Sequence, residues 1–238
     1  MNWKFAVRKP FLCTWLPLVL HYGQEAFEGL KAFRGKDGKV RIFRLEENAA
    51  RLQSTCRGIL MPELSTERFK EAILKVVKLN ERFIPPYESG ASLYIRPLLV
   101  GTGAQVGVHP ASEYLFVVFV TPVGPYFKGG FSTNPYVIIR EFDRAAPLGT
   151  GTYKVGGNYA ASLRANKKAH DLGYACELLS GCQRKEIHGR VWCCQLLRHQ
   201  GQYVYHSEIH FHPALHHQQE PDAVGRGHGY EGRASSGS

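Results

Sequence analysis

Lys154 stands in the stretch Gly149-Thr-Gly-Thr-Tyr-Lys-Val-Gly-Gly-Asn-Tyr-Ala-Ala-Ser162, between a Gly/Thr loop and the start of a helix. A primary amine in that place is suited to covalent chemistry, because it can form a Schiff base with an aldehyde. The two glycines let the backbone pass close to a bulky ligand, and the unpaired N–H groups of a helix start favour an anion such as a phosphate. An aldehyde and a phosphate on one small molecule describe pyridoxal phosphate. A lone Lys-x-Gly-Gly also occurs in ordinary surface loops, so the residues elsewhere in the chain decide what this one does.

Tyr94 and Arg96 are two apart in Ser92-Leu-Tyr-Ile-Arg-Pro97, a strand pattern that puts both on one face while Leu93 and Ile95 point to the core. Tyr159 follows Lys154 by five residues, and Arg144 precedes it by ten. Arg51 sits in Asn48-Ala-Ala-Arg-Leu52. Taken singly, each arginine reads as a solvated surface charge and Tyr159 as a packed aromatic.

A further stretch changes that reading: His21-Tyr-Gly-Gln-Glu-Ala-Phe-Glu-Gly-Leu-Lys-Ala-Phe33. Together with Ser92–Pro97 and the Lys154 stretch, it closely resembles the branched-chain amino acid aminotransferases, which belong to the fold-type IV pyridoxal phosphate enzymes. The resemblance runs from about His21 to Leu179. It implies that Lys154 holds the cofactor and carries a proton to and from the substrate Cα, and that Tyr159 hydrogen-bonds the cofactor's phenolic oxygen. It implies that Arg51 holds the phosphate through its planar charged fork and that Arg144 lies near the cofactor. Tyr94 and Arg96 fall on the substrate side, where the arginine meets the distal carboxylate of glutamate or orders the pocket. Tyr22 and Phe27 line space for an aliphatic side chain. The implied reaction passes the amino group of Leu, Ile or Val to 2-oxoglutarate in a homodimer. The alternatives are another fold-type IV enzyme (a D-amino acid aminotransferase or an aminodeoxychorismate lyase), an impaired remnant, or a basic binding protein.

The chain has 238 residues and a formal net charge of +10. Its basic residues are spread along the chain and do not line one helix, which argues against a nucleic-acid partner. Phe11 to Leu20 is apolar after basic residues, but Trp15-Leu-Pro17 interrupts it and no small-residue cleavage site follows, so neither a membrane span nor a signal is expected. The expected location is cytoplasmic. Six cysteines lack zinc or redox spacing and read as reduced thiols, and no metal site is expected.

Elements that could position these residues follow from periodicity. Lys39–Phe43 alternates as a half-buried strand, and Glu46–Ile59 reads as a helix. A second helix is capped by Ser65, carries Phe69, Ile73, Val76, Val77 and Phe83 at helical spacing, and stops at Pro85-Pro86. Ser92–Val100 and Tyr114–Val120 read as strands, the latter buried, and Thr121-Pro-Val-Gly-Pro125 as a turn-rich link. Tyr136–Arg140 is a strand and Asn158–Leu172 a helix ended by Gly173. The fold class is α+β or α/β, a two-domain fold-type IV arrangement whose large C-terminal domain is incomplete. The expected organisation is an atypical segment over 1–20, a small domain over 21–121, a linker over 122–130, the first part of the cofactor-binding domain over 131–179, and an aberrant tail over 180–238.

Composition changes near Leu179-Ser180. Eight of the eleven histidines lie beyond it, and hydrophobic periodicity stops. His206, His210, His212, His216 and His217 could be read as a metal-binding tract. The genetic code offers another account. Read one base later, His188-Gly-Arg-Val-Trp-Cys-Cys-Gln-Leu-Leu197 can encode Met-Glu-Glu-Cys-Gly-Ala-Ala-Asn-Phe-Phe, and His212-Pro-Ala-Leu-His-His-Gln-Gln219 can encode Ile-Pro-Pro-Ser-Ile-Thr-Asn. Both strings are similar to segments of the same family, the first carrying the glutamate that pairs with the pyridine nitrogen. The expectation is a tail translated out of frame, testable on the coding DNA.

Overall fold

The computed structural model describes residues 17–125, 135–144, 146, 148–179, 194–199 and 202–207. The short helix α1 (Leu18–Tyr22) leads into β1 (Glu25–Phe27), β2 (Leu30–Arg34) and β3 (Val40–Ile42). The helices α2 (Leu45–Gly58) and α3 (Thr66–Leu79) follow, then the long strands β4 (Ser92–Gly101) and β5 (Tyr114–Val123). These five strands form one antiparallel sheet.

In that sheet β4 is the organising strand. One edge pairs with β5 along its whole length, from Ser92↔Val123 to Gly101↔Tyr114. The other edge is shared: β1 takes Leu98–Val100 and β2 takes Leu93–Ile95. Pro97 lies at the break between them, where its carbonyl accepts the Glu28 N–H at 2.9 Å. A central strand ordinarily excludes proline, since it cannot donate to the ladder. Here the donor it lacks faces the gap between β1 and β2, so no rung is lost.

The core lies between this sheet and the two helices: Leu52, Cys56, Phe69 and Ile73 from α2 and α3 meet Ala32, Leu93, Ile95 and Leu99, all 1% exposed or less. Ser65 caps α3, its hydroxyl accepting the Arg68 N–H at 3.3 Å, as its place before Thr66 predicts. Burial pushes the Cys56 thiol up to about 12, so that cysteine is an inert packing residue.

Beyond the sheet, β6 (Tyr136–Ile139) pairs in parallel with β7 (Cys176–Leu179). The stretch expected as one helix over 158–172 is two, α4 (Gly156–Ala160) and α5 (Leu163–Asp171), and α5 packs on both β6 and β7. At the break the buried Ser162 hydroxyl donates to the Asn158 carbonyl at 3.2 Å, a local bond that competes with helical pairing. Gly173, at φ +82, ends α5 as expected.

Other expectations need correction. The helix expected to reach Phe83 ends at Leu79, and residues 81–83 form a separate 3-10 turn. β5 is an edge strand, half-buried and not buried, with Phe119 49% exposed. It also runs through Thr121, Pro122 and Val123, the start of the expected link; an edge strand tolerates proline. The segment before residue 21 includes α1, whose first residue Leu18 is buried. Separately, and without bearing on the expected tail, β8 (Cys194–His199) and β9 (Gln202–Ser207) form an antiparallel pair, as the β-forming run Tyr203-Val-Tyr205 favours. The linker residues 126–130 and the histidines beyond 207 lie outside the described residues. Among the described residues no cluster of metal-ligating side chains occurs, and no helix is long and apolar enough to cross a membrane.

Candidate active site

α2 presents a polar stripe to the β1–β2 break. Asn48, Arg51 and Thr55 recur at helical spacing, so they share one face. The Arg51 guanidinium grips the fully buried Glu28 carboxylate through Nε and Nη2, both at 2.7 Å, and Asn48 Nδ2 adds a third bond at 2.9 Å. Thr55 Oγ1 accepts the Lys154 N–H at 3.1 Å. From β1 the Phe27 N–H donates to the Lys154 carbonyl at 3.2 Å. The lysine backbone is thus clamped to a helix and a strand.

Asn158 fixes the rest of the loop. Its buried amide donates to the Thr150 and Tyr153 carbonyls at 2.6 and 2.9 Å and accepts the Thr150 hydroxyl at 3.0 Å. With the loop anchored, the Lys154 amine donates to the Tyr159 hydroxyl at 2.8 Å. The Tyr159 ring meets Phe27 edge-on, with centroids 5.0 Å apart, and Arg144 lies 5.6 Å over the same ring.

Two cations meet the ring of Phe27: Lys154 Nζ is 4.9 Å and Arg96 Cζ 4.8 Å from its centre. Such contacts favour a positive charge over an aromatic face. Arg96 is held by Tyr94, whose hydroxyl accepts from Nε at 3.1 Å and from Nη2 at 2.8 Å. That hydroxyl sits so close to Gly29 that a Cβ there would stand 2.5 Å away, so any side chain at this position would have to displace the Tyr94 phenol. Lys31 pairs with Tyr94 across the sheet, and burial lowers its ammonium below the usual range.

The structure therefore brings Lys154, Tyr159, Phe27, Arg144, Arg96 and Tyr94 into one cluster. Arg51 lies behind it on Glu28. Tyr22 stands apart at the end of α1, 47% exposed, its ring tilted against His21. Spacing along the chain missed Glu25, Glu28, Thr55 and Asn158. The helical repeat of Asn48, Arg51 and Thr55 could have revealed one polar face; nothing in the sequence pairs that face with Glu28.

An amine, two phenols and two guanidiniums around the Phe27 and Tyr159 rings form a donor set that fits an aldehyde-bearing phosphate. Known proteins share this framework. Residues 25–183 match the amino-transferase class IV family, and the chain belongs to it. It is 57% identical over 157 residues to a branched-chain-amino-acid aminotransferase of Helicobacter pylori, covering 66% of this chain and 46% of that protein. The enzyme of that name from Haemophilus influenzae is 53% identical over 155 residues, covering 65% of this chain and 45% of that protein. Among solved structures, the Escherichia coli branched-chain amino acid aminotransferase superposes with a TM-score of 0.58 at 26% identity, covering 72% of this chain and 55% of that one. A T.th. enzyme of the same name, solved with pyridoxamine 5'-phosphate, gives 0.60 at 28% identity, covering 73% and 56%. The chain spans about half the length of these relatives, and the family match ends four residues past Leu179.

Proposed function

We propose that the chain is a pyridoxal phosphate-dependent branched-chain aminotransferase, exchanging the amino group between Leu, Ile or Val and 2-oxoglutarate, with glutamate as the other product. The carrying observation is Lys154 Nζ, 2.8 Å from the Tyr159 hydroxyl and over the Phe27 ring that Arg96 also contacts. When bound, pyridoxal phosphate supplies the electron sink that lets a substrate Cα–H bond break.

The remaining work falls to this chain's own residues. Lys154 Nζ takes the proton from the substrate Cα and returns it, a task that a positioned amine performs when it is neutral. Tyr159 holds that nitrogen in place through its hydroxyl. Arg144, over the Tyr159 ring, adds positive charge on the cofactor side, and Arg51, oriented by Glu28, is the second cation for a phosphate. Phe27 excludes water and offers an apolar wall to an aliphatic side chain. Arg96, aimed by Tyr94, is the group that can meet a distal carboxylate, so one pocket serves both substrate types. A homodimer belongs to this reading; the apolar edge strand β5, with Phe119 exposed, suits a second copy.

Borohydride reduction in the presence of pyridoxal phosphate, followed by peptide mapping, tests the assignment. The label is expected on Lys154. Label on Lys128, Lys167 or Lys168 instead would overturn it.

A further inference from the structure

Glu25 is a site-facing carboxylate near Arg96 that the mechanism above leaves without a task. It lies two residues before Phe27 on β1, so both side chains rise from the same face of the sheet. Its carboxylate accepts the Gly156 N–H, and a Cβ on Gly156 would displace it. It also lies in the field of Arg96. Burial raises the carboxyl above its usual value, while Arg96 and the Gly156 N–H pull it back down. One acid thus bonds the Lys154 loop and shares a sheet face with the substrate-side arginine, whose charge reaches it.

A cation that must accept a dicarboxylate in one half of a reaction, and tolerate an apolar side chain in the other, cannot present its full charge. An unopposed guanidinium beside Phe27 would favour the dicarboxylate and penalise the aliphatic ligand that strips its water. We propose that Glu25 sets the balance between dicarboxylate and monocarboxylate ligands by offsetting part of the Arg96 charge, acting as a specificity-determining positioning residue. This rests on the reading of Arg96 as the substrate-side cation. Glu25→Gln isolates the effect, because the amide oxygen still accepts from Gly156 while the charge is gone.

Equilibrium titration of the full chain, loaded with pyridoxal phosphate, provides the test, with glutarate and 4-methylvaleric acid as probes. Glu25→Gln is expected to bind glutarate roughly threefold to tenfold tighter and to leave 4-methylvaleric acid unchanged or weaker, as removal of one nearby negative charge implies. Glu25→Asp keeps the charge on a shorter stem, so its glutarate affinity is expected to stay near the parent value. Equal shifts for both probes in Glu25→Gln, no shift for either, or an Asp variant that behaves like the Gln variant would overturn the proposal. Arg96→Gln separates the two levels: if glutarate binding survives that change, the reading of Arg96 itself fails. If glutarate binding falls there but does not rise in Glu25→Gln, only the role of Glu25 fails.

Discussion

The two arginines Arg51 and Arg96 have different attachments, and their variants should separate. Arg51 holds a buried carboxylate in a two-point fork, so Arg51→Ala leaves the buried Glu28 side chain without its guanidinium partner. The expected cost is about 3–5 kcal/mol of stability, read as a lower denaturation midpoint with loss of cofactor. Arg96→Ala, half-buried and bonded to one phenol, should keep the fold and the cofactor while turnover falls. Equal cofactor loss in both variants would remove the distinction. Glu177 gives a pH-dependent case. It is fully buried, and burial holds its carboxyl above the usual value against the Asn166 bond and the Arg144 charge. A raised acid stabilises the fold below its unfolded value, and that contribution is lost as pH rises through the folded one. Glu177→Gln should therefore raise the melting temperature near about pH 7, and the gain should shrink towards about pH 4; a constant gain would exclude titration as its source. The shared face of Tyr94 and Arg96 was legible in the sequence because a two-residue spacing survives into local structure, whereas Tyr159 beside Lys154 came from the family resemblance and not from its five-residue spacing. The Glu28–Arg51 pair was not, since 23 residues and a sheet-to-helix contact separate the partners.

At the level of elements, the Lys154 loop depends on a single amide. Asn158→Ala would remove three hydrogen bonds and orphan the Thr150 and Tyr153 carbonyls, at about 2–3 kcal/mol. The expected result is a lower melting temperature together with weaker borohydride labelling of Lys154. Full labelling at an unchanged melting temperature would mean that Thr55 and Phe27 hold the loop without it. The helices were readable because Ser65 and the apolar spacing of α3 act locally. β1 and β2 escape such a reading because three and five residues around Glu28-Gly29 are too short to show a period. β5 differs from expectation for another reason: a continuous apolar run reads as a strand covered on both faces, yet its neighbours leave one edge and Phe119 open. The break between α4 and α5 depends on where the Ser162 hydroxyl points, which spacing does not encode.

Across the whole molecule, the sheet built on β4 is covered by two helices, whereas β6 and β7 form a parallel pair with Ile138 40% exposed. Parallel strands are stable when both faces are covered, and the matched stretch of 157 residues is only 46% of the Helicobacter pylori relative, whose remaining sequence is available to cover them. Restoring the other reading frame near the codons of Leu179-Ser180 should therefore yield a protein more soluble than the chain as it stands, with stronger cofactor absorbance and leucine-dependent glutamate formation. Equal solubility and activity of both proteins would show that the tail is a working part and not an out-of-frame one. The clamp on Lys154 also bears on the order of assembly. Its N–H bonds Thr55, 99 residues earlier, and its carbonyl bonds the still more distant Phe27. Closing loops of that length is entropically unfavourable until the segments they join are already ordered. In pulsed hydrogen exchange during refolding, amides of the β4–β5 ladder should gain protection first, and those of Phe27 and Lys154 late. Cofactor capture would then mark the end of folding, and a nascent chain would be unable to hold the cofactor before Lys154 has left the ribosome.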